Sequence, residues 1–160
     1  MKPIRTLVAA TALVVSAQAG FAQTATQTVT FQVNAVNQIA VTGAPTLIIT
    51  TAVAGSPPTS ATSAGNTWAV TTNQTGAKIT ASIPVAMPAG LTLRATLAAP
   101  AGATSAGIVT IGTVAADMVT GITKVFAAGL GLTYQLDATA AAGVVPSSTR
   151  VVTYTITGGV

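Results

Sequence analysis

The chain has 160 residues, of which only six are Lys or Arg and two are Asp or Glu, and it contains neither His nor Cys. That composition excludes disulfide staples, thiol and imidazole nucleophiles and most metal-ligand sets, so burial and backbone pairing must hold any fold. Half of the residues are apolar, enough for a real core, and the chain does not have the makeup of a disordered tail.

Met1 to Ala22 reads as a secretory signal. Lys2 and Arg5 supply the charged region, Leu7 to Ala17 the apolar one, and Ala17, Ala19, Gly20 and Ala22 the small residues before cleavage. Cleavage is expected after Ala22, with Ala19 as the second choice. The apolar stretch of about 11 residues is well short of the roughly 20 that a spanning helix needs. No cysteine is present to take a lipid, so the expectation is a secreted, extracellular or cell-surface protein with no stable membrane insertion after cleavage. Removing 22 of 160 residues leaves 138, a single domain over 23–160. Lys78, Arg94, Lys124 and Arg150 then stand against Asp117 and Asp137, a net charge of +2. That is too little for a basic patch that grips phosphates, and no nucleic-acid partner is expected. The surface is instead made polar by Ser, Asn, Gln and many of the 30 threonines. A surface so poor in charge suits a protein packed against copies of itself.

From Thr24 to Ala35 the residues alternate, with Val29, Phe31, Val33 and Ala35 on one side and Thr28, Thr30, Gln32 and Asn34 on the other. This period of two predicts the first strand. Asn37 and Gln38 should break it, and Ile39 to Val41 continues it past a bulge before Gly43 and Pro45. A short apolar run, Leu47 to Ile49, precedes the Gly/Ser/Thr/Pro-rich stretch Ala54 to Asn66, which reads as a surface loop. Trp68, Val70 and Thr72 alternate, Asn73 to Ala77 supplies a turn, and Ile79, Ala81, Ile83 and Val85 alternate again, the pattern of a hairpin. Pro84 belongs at a sheet edge or strand end. Leu91, Leu93, Ala95 and Leu97 give another strand, Pro100 to Gly107 a loop, and Ile108 to Val114 a β-branched strand. Ala115 to Val119 has the look of a single helical turn, and Gly121 to Phe126 of a short strand. Gly129 and Gly131 punctuate the chain before two clear alternating runs, Leu132 to Thr139 and Val151 to Thr157. Between these, Ala140 to Arg150 is long enough for a loose hairpin or for a crossing between two sheets.

These elements predict an all-β protein, a single immunoglobulin-like or jelly-roll β-sandwich of about seven to nine strands. Chemistry is sparse. Asp117 and Asp137 are the only carboxylates left for acid–base work and read as solvated. Lys78 or Lys124 with an Asn and an aspartate could in principle form an internal isopeptide bond, but no spacing singles out a trio. Asn73-Gln74-Thr75 spells a glycosylation acceptor, but in a turn that tripeptide is more often only a turn. Trp68 reads as a core residue, with a sugar-stacking platform as the alternative. No catalytic residue, cofactor or metal is expected.

Two resemblances follow from these residues. The ending Ser147-Ser148-Thr149-Arg150-Val151-Val152-Thr153-Tyr154-Thr155-Ile156-Thr157, after Leu132-Thr133-Tyr134, resembles the last two strands of secreted pilin-like domains of the spore coat U and chaperone–usher group. The alternating strand straight after the signal adds to that likeness. The resemblance implies a fibre subunit in which one copy's terminal strand completes its neighbour's sandwich; the cysteine pair usual in those pilins is absent here. Thr67-Trp68-Ala69-Val70 also resembles WxL cell-surface domains, though valine stands where the leucine belongs and there is no second tryptophan motif. The expected function is therefore a structural subunit of an extracellular filament, pilus or surface layer. A homopolymer would assemble by addition of an N-terminal donor strand, residues 23–35, with Val29, Phe31, Val33 and Ala35 at the subunit interface. Asn34, Asn37 and Gln38 would form the hinge. The alternative is a monomeric secreted module that binds a glycan or a surface protein through its loops.

Overall fold

The computed structural model describes residues 22–160, so all of the predicted signal except its last residue lies outside them. The chain divides into two compact units, Met1–Gln32 and Val33–Val160. The described part of the first, residues 22–32, has exposed side chains and forms no strand or helix.

The second unit is a β-sandwich of ten strands: β1 (Asn37–Thr42), β2 (Ala61–Thr62), β3 (Asn66–Thr72), β4 (Ala77–Ser82), β5 (Leu91–Leu97), β6 (Thr104–Ser105), β7 (Val109–Thr110), β8 (Ala116–Ile122), β9 (Val125–Ala138) and β10 (Thr153–Thr157). One antiparallel sheet runs β1-β3-β9-β5-β7 with β2 also on β9, and the other runs β10-β4-β8-β6. Apart from a 3₁₀ turn at Ala140–Ala142, the described residues hold no helix. From β3 onward each successive strand lies in the opposite sheet, so every connection crosses the sandwich.

That crossing corrects the expected hairpin at Trp68–Val85. β3 and β4 do not pair; they face one another across the core, with Trp68, Val70 and Thr72 buried from one sheet and Ala77, Ile79 and Ala81 from the other. Two strands that each bury one face give the same alternation whether they pair or oppose, so the pattern alone could not distinguish the two. The core is completed by Leu93, Ala95 and Leu97 of β5, Met118, Val119 and Ile122 of β8, and Leu132 and Tyr134 of β9.

Three other expectations are corrected. Thr24 to Ala35 is not a strand, and the first one begins at Asn37, inside the expected break; a strand exists only where its N–H and C=O groups meet an edge. Ala115 to Val119 is not a helical turn, and Ala116 to Val119 is part of β8. There the register against β4 slips between Ile79 and Thr80, and the resulting bulge buries the consecutive Met118 and Val119, which hides the period of two. Gly129 and Gly131 do not end an element but lie inside the 14-residue β9. Ala128 and Gly129 stand opposite Ala69 as a bulge, for which Gly129 takes φ +67°.

Smaller differences concern edges. The loop at Ala54–Asn66 contributes β2, the expected strand at Ile108–Val114 shrinks to β7, and Leu47–Ile49 forms no strand pair among the described residues. Between β9 and β10, Ala140–Arg150 makes the crossing between sheets.

Candidate functional site

The strand β9 gives the sandwich two ends, one where Val125 lies opposite Thr72 and one where Ala138 lies opposite Leu91. At the Ala138 end the sandwich is open. A cavity of about 890 Å³ runs between residues 45–52 and 145–149, with Met87, Leu91, Leu136 and Ala138 among the residues lining it. Leu47 and Met87, which line it, also pack against the buried core, so the cavity is an opening in the core's edge.

Among the described residues, neither wall belongs to a strand. Leu47 and Ile49 are half-buried while Ile48 is 68% exposed, the alternation of a strand. On the other side Val152 continues the inward stripe of Tyr154 and Ile156 from β10. Among the described residues no main-chain to main-chain hydrogen bond reaches 45–50 or 144–152. Two rows of unpaired peptide groups beside an apolar floor make a template for an added strand. The second wall is fixed by Arg150, whose Nε and Nη2 each donate to Ala86 O at 3.2 Å and whose Nη1 donates to Thr149 O at 2.8 Å. No charged side chain lines the cavity, and the polar side chains that line it are the hydroxyls of Thr46, Thr50, Thr51, Thr139, Ser147, Ser148 and Thr149. It therefore offers apolar contact and backbone pairing but no acid, base or nucleophile beyond plain alcohols.

The residues expected to occupy such a groove lie elsewhere in the chain. Val29, Phe31 and Val33 are 72%, 89% and 82% exposed. Ala35, also exposed, sits between two residues held by Asn73. Val36 N–H donates to Asn73 Oδ1 at 2.8 Å, and Asn73 Nδ2 donates to Asn34 O at 2.8 Å. Asn37 is likewise tied, donating through Nδ2 to Gln74 Oε1 at 2.7 Å. Asn34 and Asn37 are therefore anchored and do not form the expected hinge.

The other candidates are kept apart. Asp117 pairs with Lys78 at 2.9 Å on one sheet, both about half exposed. That is a solvated ion pair, without the dry enclosure that condensing an amine with a carboxyl requires. Asp137 lies on the other sheet. It accepts hydrogen bonds from Gln135 Nε2 at 2.7 Å and Ser60 Oγ at 2.5 Å, with Arg94 Nε 3.2 Å from its second oxygen. These contacts, the Gln135 bond foremost, hold its carboxyl below the usual aspartate range. The two aspartates do not meet. Trp68 is 1% exposed and its Nε1 donates to Ala98 O at 3.1 Å, which makes it a core residue and no platform for sugars. Among the described residues no group of three His, Cys, Asp or Glu could hold a metal, and no helix is long and apolar enough to cross a membrane.

No protein-family model matches this chain, and no curated protein or solved structure matches it either.

Sequence reasoning did not find the groove. Leu47–Ile49 shows only as a short apolar run and 145–152 as the approach to a strand. That two unpaired walls converge on one floor is a long-range property.

Proposed function

We propose that the protein is a structural subunit of an extracellular filament or surface layer, in which the N-terminal segment of one copy inserts as a strand into the groove of the next. The observation that carries this reading is the open core edge between two wall segments that, among the described residues, take part in no main-chain ladder. A single inserted strand would pair with both walls and cover the apolar floor. The chain also carries a suitable occupant. Residues 23–33 have no charge and bear an apolar stripe, Val29, Phe31 and Val33, that is exposed. The likeness of the last two strands to those of pilin-like domains points the same way. An interface between the front of one copy and the back of another does not close on itself, and so propagates.

The reading is tested by deleting 23–33 from the mature chain. Electron microscopy should show filaments of the full protein, dispersed particles of the deletion variant, and occupancy of the groove when a peptide of residues 23–33 is added. Filaments of wild-type appearance from the deletion variant would refute it. Dispersed particles from the intact protein would favour the monomeric surface-binding module.

A further inference from the structure

The first wall of the groove, residues 45–50, hangs between two fastened ends, because among the described residues no main-chain hydrogen bond reaches it. We propose that the carboxylate of Asp137 holds the second of these ends, as a latch that ties β2 across β9 to β5, and that protonating it loosens the wall whatever strand the groove receives.

The first end is fixed by neutral groups. Thr42 closes the β1–β3 ladder opposite Thr67, and Gly43 lies so close to the buried Asn66 that a Cβ there would displace its side chain. The second end runs straight into the latch. Thr59 N–H donates to Thr51 O at 2.8 Å and Ala52 bridges Pro58, so the chain turns back as a hairpin, with Ser60 next and β2 directly after it. Thr51, Ala52 and Pro58 line the groove, and what holds Ser60 therefore holds that side of it. β2 itself contributes only two paired residues, Ala61 with Leu136 and Thr62 with Gln135. A ladder so short is a weak dock by itself, which gives side-chain ties their weight.

Asp137 supplies the tie. It stands between Leu136 and Ala138, which line the groove, and so projects from the opposite face of β9. On that face its Oδ1 accepts from Ser60 Oγ at 2.5 Å and from Gln135 Nε2 at 2.7 Å, while its Oδ2 lies 3.2 Å from Arg94 Nε of β5, both of these atoms closed off from solvent. Among the described residues Arg94 is the charged group that faces it. β2 and β9 present the neutral Ser60 and Gln135, and Lys78 and Asp117 belong to the other sheet. A proton on Oδ2 would point at a guanidinium, which has no lone pair to accept it, and would cancel the charge that strengthens the bond from Ser60. Gln135 first, then Ser60 and Arg94, hold the carboxyl below its usual range against the opposing effect of burial, so folding favours the ionised form. The latch is therefore at full strength above the ordinary aspartate value of 3.8 and is lost as pH falls below it through the folded value.

The test reads distances between paired nitroxides, which the absence of native cysteine allows to be placed at will. One pair, Ile48→Cys with Thr155→Cys, spans the wall and the sandwich; the other, Thr71→Cys with Thr155→Cys, spans the two sheets, and all three positions are exposed. Labelled mature protein is diluted with unlabelled protein, so each distance lies within one molecule and the outcome does not depend on whether copies assemble. Both distributions should be narrow at pH 7, and acid should widen the Ile48 pair severalfold while the sheet pair stays narrow. Asp137→Asn and Ser60→Ala should each widen the Ile48 pair already at pH 7. Asp137→Asn should remove the acid response, and Asp117→Asn should keep it. The proposal is overturned by an Ile48 pair that is wide in the unsubstituted protein at pH 7, that stays narrow in acid, or that keeps its acid response in Asp137→Asn. If acid widens the sheet pair too, the variants at pH 7 decide, and if Asp137→Asn does not fold, Ser60→Ala decides: a narrow Ile48 pair there overturns the latch.

Discussion

Trp68 shows what single residues reveal. Its alternation with Val70 and Thr72 marks an inward position, and the indole is 1% exposed with its N–H satisfied by Ala98 O. Trp68→Ala should cost about 3–5 kcal/mol, measured as a lowered midpoint in urea unfolding with an unchanged slope. Asn73 was not legible in the same way, because its bonding partners lie 37 and 39 residues away and local pattern carries no such information. Nor was the pairing of Tyr154 with Tyr134, whose hydroxyls meet at 2.8 Å between the two sheets. Burial raises the pKa of both, and the bond to Tyr134 raises Tyr154 further. The folded state thus holds these protons where the unfolded state releases them. Stability from this pair is fully present below the ordinary tyrosine value of 10.0 and declines as pH rises above it. Thermal melts from pH 8 to 11 should show that decline, and the double variant Tyr134→Phe/Tyr154→Phe should show less of it. An equal decline in both would contradict the assignment.

At the scale of elements, strands with an unbroken period of two were legible: β5 matches its expected run, as does the latter half of β9. Misreadings fell where a bulge spoiled the period, at Met118–Val119, or where alternation could not distinguish pairing from facing, at β3 and β4. The walls of the groove were hidden for the complementary reason, since an extended segment without a partner has the sequence of a strand and lacks its ladder. This gives a prediction about two faces of one contact. Ile49→Asp should spoil the groove and Phe31→Asp the donor, each leaving the sandwich folded because Ile49 is half-buried at its edge and Phe31 is exposed. Burying a Phe side chain contributes roughly 1.5–3 kcal/mol, so the loss in affinity is at least tenfold. Neither variant alone should polymerise. Mixed together they should stop at dimers, the intact donor of Ile49→Asp in the intact groove of Phe31→Asp, as analytical ultracentrifugation would reveal; filaments from either variant alone would contradict it.

For the whole molecule, the all-β class and the sandwich architecture were legible, since short alternating runs between Gly and Pro punctuation leave few alternatives. Strand order was not, because every connection after β3 crosses between sheets and no local signal specifies which partner a strand meets. The scarcity of charge has its own consequence. With no charged side chain lining the groove or carried by 23–33, assembly should be nearly insensitive to sodium chloride between 0.05 and 1 M, and promoted by sulfate, in light-scattering kinetics. Strong inhibition by salt would point to an interface elsewhere.

The absence of cysteine allows the central claim to be tested by directed crosslinking. One copy would carry Phe31→Cys and a second would carry a single cysteine at Leu47, Ile49 or Val145, all of which line the groove, so that any disulfide between the two variants must join two molecules. After mixing under mild oxidation, insertion of the donor into the groove predicts a covalent heterodimer on non-reducing gels with at least one of the three positions. It predicts none when Phe31→Cys is paired with a cysteine at Thr155, on the outer face of β10. Equal crosslinking at Thr155 and in the groove, or none at any groove position, would contradict it.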